Sequence, residues 1–123
     1  MPRNLFGSVI PLATPHVPGV RKQTLAAITD TIKPDDLVWL TNGTGGLLTM
    51  TSTPIIADGR DGDQVLLVNI GTQSIALRDQ GTLANSGLRL QAATRTLTTR
   101  QSLALLFSVV IGDWLELYYS AVI

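Results

Sequence analysis

Beyond about residue 24 the chain is written in short alternating runs of apolar and polar residues, separated by turns rich in Gly, Asn and Asp. The stretch Ala57-Asp58-Gly59-Arg60-Asp61-Gly62-Asp63-Gln64-Val65-Leu66-Leu67-Val68-Asn69-Ile70 is the most informative. A tight Asp/Gly turn releases a strand that is apolar on both faces, with Val65 and Leu67 pointing one way and Leu66, Val68 and Ile70 the other. Such a strand needs cover on both faces, from a second sheet or from another subunit. The same grammar predicts strands over residues 24–32, 37–41, 64–70, 74–79, 87–91, 94–99, 102–111 and 114–122. A helix over 23–32 is the alternative for the first of these, because Leu25, Ile28 and Ile32 also fit helical spacing. Asn42-Gly43-Thr44-Gly45-Gly46 reads as a turn that returns residues 37–41 as a hairpin with 47–52. With one Glu and two Lys in the chain, helix support is thin. The expectation is an all-β protein, an antiparallel sandwich or barrel-like domain.

Residues 1–22 differ in character. Pro2, Pro11, Pro15 and Pro18 interrupt regular structure, while Leu5, Phe6, Val9, Ile10, Val17 and Val20 make the segment too apolar for a solvated tail. The pattern predicts an extended N-terminal arm laid on a neighbouring surface, followed by a β-rich oligomerisation domain over 23–123. The alternative is a first edge strand and loop packed on the same domain.

Composition sharpens this picture. The 123 residues suffice for one domain with a core of its own. Nine basic and nine acidic residues cancel, which argues against a surface that tracks phosphates and so against a nucleic-acid partner. Hydrophobic residues make up 45% of the chain and the mean hydropathy is +0.28, an excess that a subunit interface would bury. The absence of cysteine excludes disulfides and thiolate metal ligation. No apolar core follows Met1-Pro2-Arg3-Asn4, so no signal peptide is expected. Residues 103–111 form a nearly unbroken apolar run, but Gly112-Asp113 ends it far short of the roughly 20 residues a spanning helix needs. No membrane partner is expected.

From Ala57 onward the sequence resembles a module common in virion proteins of tailed bacteriophages, chiefly tail fibres, head fibres and small capsid-attached proteins. The resemblance rests on "ADGRDGD", "VLLVNIGTQ", "SIALRDQG", "NSGLRL", "RTLT" and the closing Leu105-Leu106-Phe107-Ser108-Val109-Val110-Ile111-Gly112-Asp113-Trp114-Leu115-Glu116. It covers residues 55–117, about half of the chain. It implies a homotrimer in which apolar strand faces meet across an axis, with Leu66, Val68, Ile70, Leu105 and Phe107 as the expected interface. Fibre proteins of this kind are generally much longer. The resemblance therefore points to a capsid decoration (cement) or head-fibre protein, attached to the major capsid protein or another virion protein through Leu5, Phe6, Val9, Ile10, Val17 and Val20. The expected location is the virion, on the capsid surface or tail, after synthesis in the host cytoplasm. The competing expectation is a tail-fibre or collar component that binds a host glycan through Trp114, Tyr118 or Arg95.

Candidate chemistry is sparse. Asp58, Asp61 and Asp63 lack the alternate spacing and terminal Glu of a calcium loop, and turn formation accounts for them. The Gly-rich run at 42–46 has no Lys-Ser/Thr after it and is read as a turn, not a phosphate loop. His16 is the one histidine and has no nucleophile in a recognisable context. Asp113 and Glu116 form the nearest thing to a paired-carboxylate site, with Trp114, Tyr118 and Tyr119 close by, but alternation places Asp113 in a turn. Arg89, Arg95 and Arg100, among Thr94, Thr96, Thr98 and Thr99, suit a solvated face or ion pairs across subunits. No enzyme, cofactor or metal site is expected.

Overall fold

The computed structural model describes residues 19–120, which form nine strands and no helix. These are β1 (Val20–Leu25), β2 (Leu37–Asn42), β3 (Leu48–Thr49), β4 (Gln64–Asn69), β5 (Ile75–Arg78), β6 (Leu88–Arg89), β7 (Thr94–Leu97), β8 (Ser102–Ser108) and β9 (Asp113–Ser120). They make a six-stranded sheet in the order β1-β2-β4-β8-β9-β6 and a three-stranded sheet in the order β3-β5-β7.

The all-β expectation holds, but the sheets are mixed. β1, β2 and β4 run parallel, as do β3 with β5 and β6 with β9, while β4/β8, β8/β9 and β5/β7 are antiparallel. The hairpin expected around Asn42–Gly46 does not form, because β2 and β3 belong to different sheets. The chain winds instead. It leaves the large sheet at β2, enters the small sheet at β3, passes Ile56, which bridges in parallel to Ile32, and returns to the large sheet at β4 before crossing to β5. Strands reached on successive windings are necessarily parallel, and each return is long enough for a crossover. Two windings are read from the same template: Val38, Leu40, Asn42, Leu48 and Met50 recur 27 residues later as Val65, Leu67, Asn69, Ile75 and Leu77. All ten are buried. β7 then completes the small sheet and β8 and β9 extend the large one, each antiparallel to the strand before it in the sheet, and β6 ends the large sheet in parallel with β9.

The core lies between the sheets and is built from the inward residues of nearly every strand, including Leu25, Val38, Leu40, Val65, Leu67, Ile75, Leu97, Leu103, Leu105, Phe107 and Trp114. Removing such side chains from water contributes about 1.5–3 kcal/mol each before ordering costs. Three boundaries differ from expectation. Val20–Lys22, assigned above to an arm, pair with Leu37–Trp39, so the body begins no later than residue 20. Residues 26–32 are neither strand nor helix, because the Asp30 carboxylate accepts the Ala26 and Ala27 N–H groups at 2.7 and 3.0 Å and turns the chain. β8 stops at Ser108, leaving Val109, Val110 and Ile111 in the turn.

Candidate functional site

One face of the six-stranded sheet makes the core. The other carries a second apolar surface. Cross-strand partners Leu37 and Leu66, Trp39 and Val68, Leu66 and Ala104, and Leu106 and Leu115 form rows across β2, β4, β8 and β9. Val68 and Ala104, at its centre, are buried without belonging to the core cluster, and Leu37, Trp39, Leu66, Leu106 and Leu115 are partly exposed. Charge on this face sits on the flanking strands, as Lys22 on β1 and Arg89 on β6. An apolar centre with a charged margin is the anatomy of a protein interface.

Of the five residues expected at an interface, Leu66 and Val68 lie on this outer face and Ile70 follows it at the end of β4, 39% exposed. Leu105 and Phe107 do not join them. Strict alternation along β8 sends Leu103, Leu105 and Phe107 inward, and Leu105 and Phe107 are 0% and 4% exposed within the chain's own core. Ala104 and Leu106 hold the outward positions, and Leu106 is the one sequence reasoning passed over.

A bulge decides the fate of the aromatic residues. Ala104 pairs with Tyr118 but Leu105 pairs with Glu116, so β9 carries one extra residue there. Alternation is thereby reset. Trp114, Glu116 and Tyr119 face inward, whereas Tyr118 is 53% exposed. Trp114 is not available to a glycan. It is 1% exposed, stands edge-on to Phe107 with ring centroids 5.2 Å apart, and donates its Nε1–H to the Ala57 carbonyl at 3.1 Å. Gly59 makes room for it, since a Cβ there would lie 2.9 Å from the indole.

Arg95, a second glycan candidate, is also engaged. Its Nε and Nη2 donate to Glu116 Oε1 and Oε2, both at 2.8 Å, and its guanidinium lies 4.7 Å from the centre of the Tyr119 ring. The Glu116 side chain is 3% exposed. The Arg95 hydrogen bonds hold the Glu116 carboxyl below the usual carboxylate range against the opposing effect of burial, and Glu116 in turn raises Arg95. Tyr119 completes the group by donating to the Thr96 carbonyl at 2.7 Å. Arg89 pairs with Asp113 at 2.8 Å. Arg89 and Arg95 therefore pair within the chain, and Asp113 and Glu116 belong to two separate ion pairs. Arg100 is exposed and adopts φ 65° in the loop before β8.

The glycine-rich run at 42–46 is a corner fixed from inside. Asn42 Nδ2 donates to the Gly46 and Ser74 carbonyls at 2.7 and 2.8 Å, and its Oδ1 accepts the Thr44 N–H at 2.8 Å. Asn69, one winding later, repeats the arrangement on the Gln73 and Leu97 carbonyls, both at 2.8 Å, and the Gly71 N–H at 2.9 Å. Each amide thus satisfies backbone groups of its own corner and of the next winding. The sequence signal was the 27-residue recurrence, which local turn chemistry obscured.

The Asp58–Asp63 loop is a brace for the β8–β9 end. Asp61 Oδ1 accepts the Val109 N–H at 2.9 Å, Asp63 Oδ2 accepts the Arg60 N–H at 2.8 Å, and Gly62 N–H and Asp63 O bond to Phe107 at 2.9 and 2.8 Å. Beside it a cleft of about 270 Å³ is bordered by Asp35, Asp36, Asp63 and Arg60. Among the described residues no group of three or more His, Cys, Asp or Glu is placed to hold a metal, and no helix is long and apolar enough to cross a membrane. His16 and the arm residues Leu5, Phe6, Val9, Ile10 and Val17 lie outside the described residues; Val20 is 60% exposed at the start of β1.

Family models, curated proteins and solved structures give no match to this chain. The outer face of the large sheet is accordingly read from its own chemistry.

Proposed function

We propose that this chain is a structural subunit of a tailed-bacteriophage particle, a capsid decoration or head-fibre protein that assembles as a homotrimer and attaches through residues 1–18. The observation that carries the assembly part is the charge-poor apolar outer face of the six-stranded sheet, where Leu66 and Leu106 are partly exposed beside the buried Val68 and Ala104. Burying it against other copies would remove apolar area worth about 25 cal/mol per Å², from which association costs are subtracted. Support for the particle comes from the resemblance of residues 55–117 to virion modules. Of the residues the glycan-binding alternative would use, Trp114 is buried and Arg95 is engaged by Glu116, while Tyr118 is exposed. The test is the copy number of this protein relative to the major capsid protein in purified virions, by quantitative mass spectrometry. A ratio near that of the capsid subunit supports decoration. A few copies per particle moves the protein to the tail or a fibre, and absence removes the virion reading.

A further inference from the structure

Of the four asparagines in the chain, Asn42 alone is followed by glycine. An Asn-Gly pair carries a spontaneous reaction. The glycine has no Cβ to shield its amide nitrogen and moves freely in an open chain, so that nitrogen can attack the side-chain carbon before it. In the fold both reacting groups are held. Asn42 Nδ2 donates to the Gly46 and Ser74 carbonyls at 2.7 and 2.8 Å, and Oδ1 accepts the Thr44 N–H and hydroxyl at 2.8 and 2.6 Å. The Gly43 N–H donates to the Leu25 carbonyl on β1 at 2.8 Å. Asn42 is 8% exposed, whereas Gly43 is open to solvent. Hydrogen bonding, not exclusion of water, is therefore the restraint on the pair.

We propose that Asn42 is a latent modification site, converted to aspartate or isoaspartate only in chains that have opened at this corner. The Gly43 nitrogen attacks Asn42 Cγ and a C–N bond forms. The Gly43 amide proton is given up, the Cγ–Nδ2 bond breaks and Nδ2 leaves as ammonia. Water then opens the resulting five-membered imide. Opening at Cγ leaves aspartate, and opening at the backbone carbonyl carbon of residue 42 leaves isoaspartate, whose main chain runs through the side chain. Water is the sole co-reactant. A carboxylate at position 42 has no N–H for the Gly46 and Ser74 carbonyls and sets a negative charge against both. Isoaspartate also lengthens the main chain at the end of β2. Either product makes opening irreversible by chemistry. The inference does not rest on the assembly or virion reading.

The fold supplies its own control one winding later. Asn69 is buried and bonds two carbonyls and the Gly71 N–H much as Asn42 does at its corner. It is followed by Ile70, however, whose branched side chain crowds the amide nitrogen that would attack. In an open chain both corners lose their hydrogen bonds, and only Asn42 then faces an unhindered nitrogen.

The test is to incubate the purified full chain in mildly alkaline buffer, with and without urea above its unfolding midpoint. The peptides holding residues 42 and 69 are then followed by mass spectrometry for exchange of NH2 for OH. The expected result is that Asn42 converts at least about tenfold faster in urea than in buffer, tenfold corresponding to about 1.4 kcal/mol of opening. Asn69 should lag well behind Asn42 in urea. Equal rates for Asn42 with and without urea would overturn the proposal, and so would an Asn69 that converts as fast as Asn42 in urea. Asn42→Asp, as the product, should unfold at a lower urea concentration than the wild type. A variant with no folded baseline reads the same way, and a wild-type midpoint would overturn the claim that opening is made irreversible. The comparison of the two wild-type peptides needs no variant to fold.

Discussion

The two faces of the six-stranded sheet are built from the same strands and both carry apolar side chains over the central strands, yet they differ in what completes them. On the inner face the large apolar side chains pack on one another within the chain, and the polar groups Asn42, Asn69 and Glu116 are each hydrogen-bonded there. On the outer face the rows from Leu37 to Leu106 lie outside the core cluster, with charge confined to the flanking strands. Folding explains the first surface. The second is apolar beyond what folding needs, and that surplus is the reason to read it as an assembly face.

Inner-face substitutions should damage the fold most. Trp114→Ala removes the indole, its contact with Phe107 and its bond to Ala57, and should cost about 3–5 kcal/mol, read as a lowered midpoint in urea unfolding. A wild-type midpoint for this variant would mean that the inner face is not the core described above.

Glu116→Gln should cost about 3 kcal/mol, because it leaves the Arg95 guanidinium without its bidentate partner in a largely enclosed site. The same group gives the fold an acid limit. The folded-state pKa of Glu116 is lowered from 4.5, so its contribution is fully present above that value and is lost as pH falls below it towards the folded pKa. Glu116→Gln should therefore flatten the stability profile below about pH 4.5. An unchanged acid profile would separate Glu116 from acid sensitivity.

Asn69→Ala should cost about 2–3 kcal/mol, since two carbonyls and one N–H lose their partner at a buried corner. Asn42→Ala should cost less, because part of its corner, around Gly45 and Gly46, is open to solvent. Equal losses would show that the corners contribute by length of winding and not by enclosure.

The outer face should respond in the opposite way. Leu66→Asp places a charge on a partly exposed position, so the isolated fold should change by less than about 1 kcal/mol while self-association is lost. A large loss of stability in the monomer would erase the distinction between the two faces.

The strands themselves were legible in the sequence, because period-two alternation and Gly/Asn/Asp turns are local signals. β4, β5, β7 and the start of β8 fall where the pattern predicts. Strand direction was not legible. Whether residues 37–42 return on themselves or wind to another sheet depends on Asn42 bonding to Ser74, a partner 32 residues away. The face of each aromatic residue was hidden for a similar reason. Before the bulge at Ala104/Leu105, alternation puts Trp114 and Glu116 together correctly, and one inserted residue then exchanges Tyr118 for Tyr119. Both faces of β4 and β8 were seen to be apolar, but for β8 their assignment was reversed: Leu105 and Phe107 are core, and Leu106 is the outward residue.

The most direct test of the outer-face account is the mass of the purified full chain in solution, by sedimentation equilibrium at several concentrations, with Leu66→Asp alongside. The account predicts that the wild type sediments at a multiple of 13.1 kDa, threefold for a trimer, and that Leu66→Asp sediments at 13.1 kDa with its fold intact. A wild type that remains at 13.1 kDa throughout, or a Leu66→Asp variant that associates as strongly as the wild type, would contradict it.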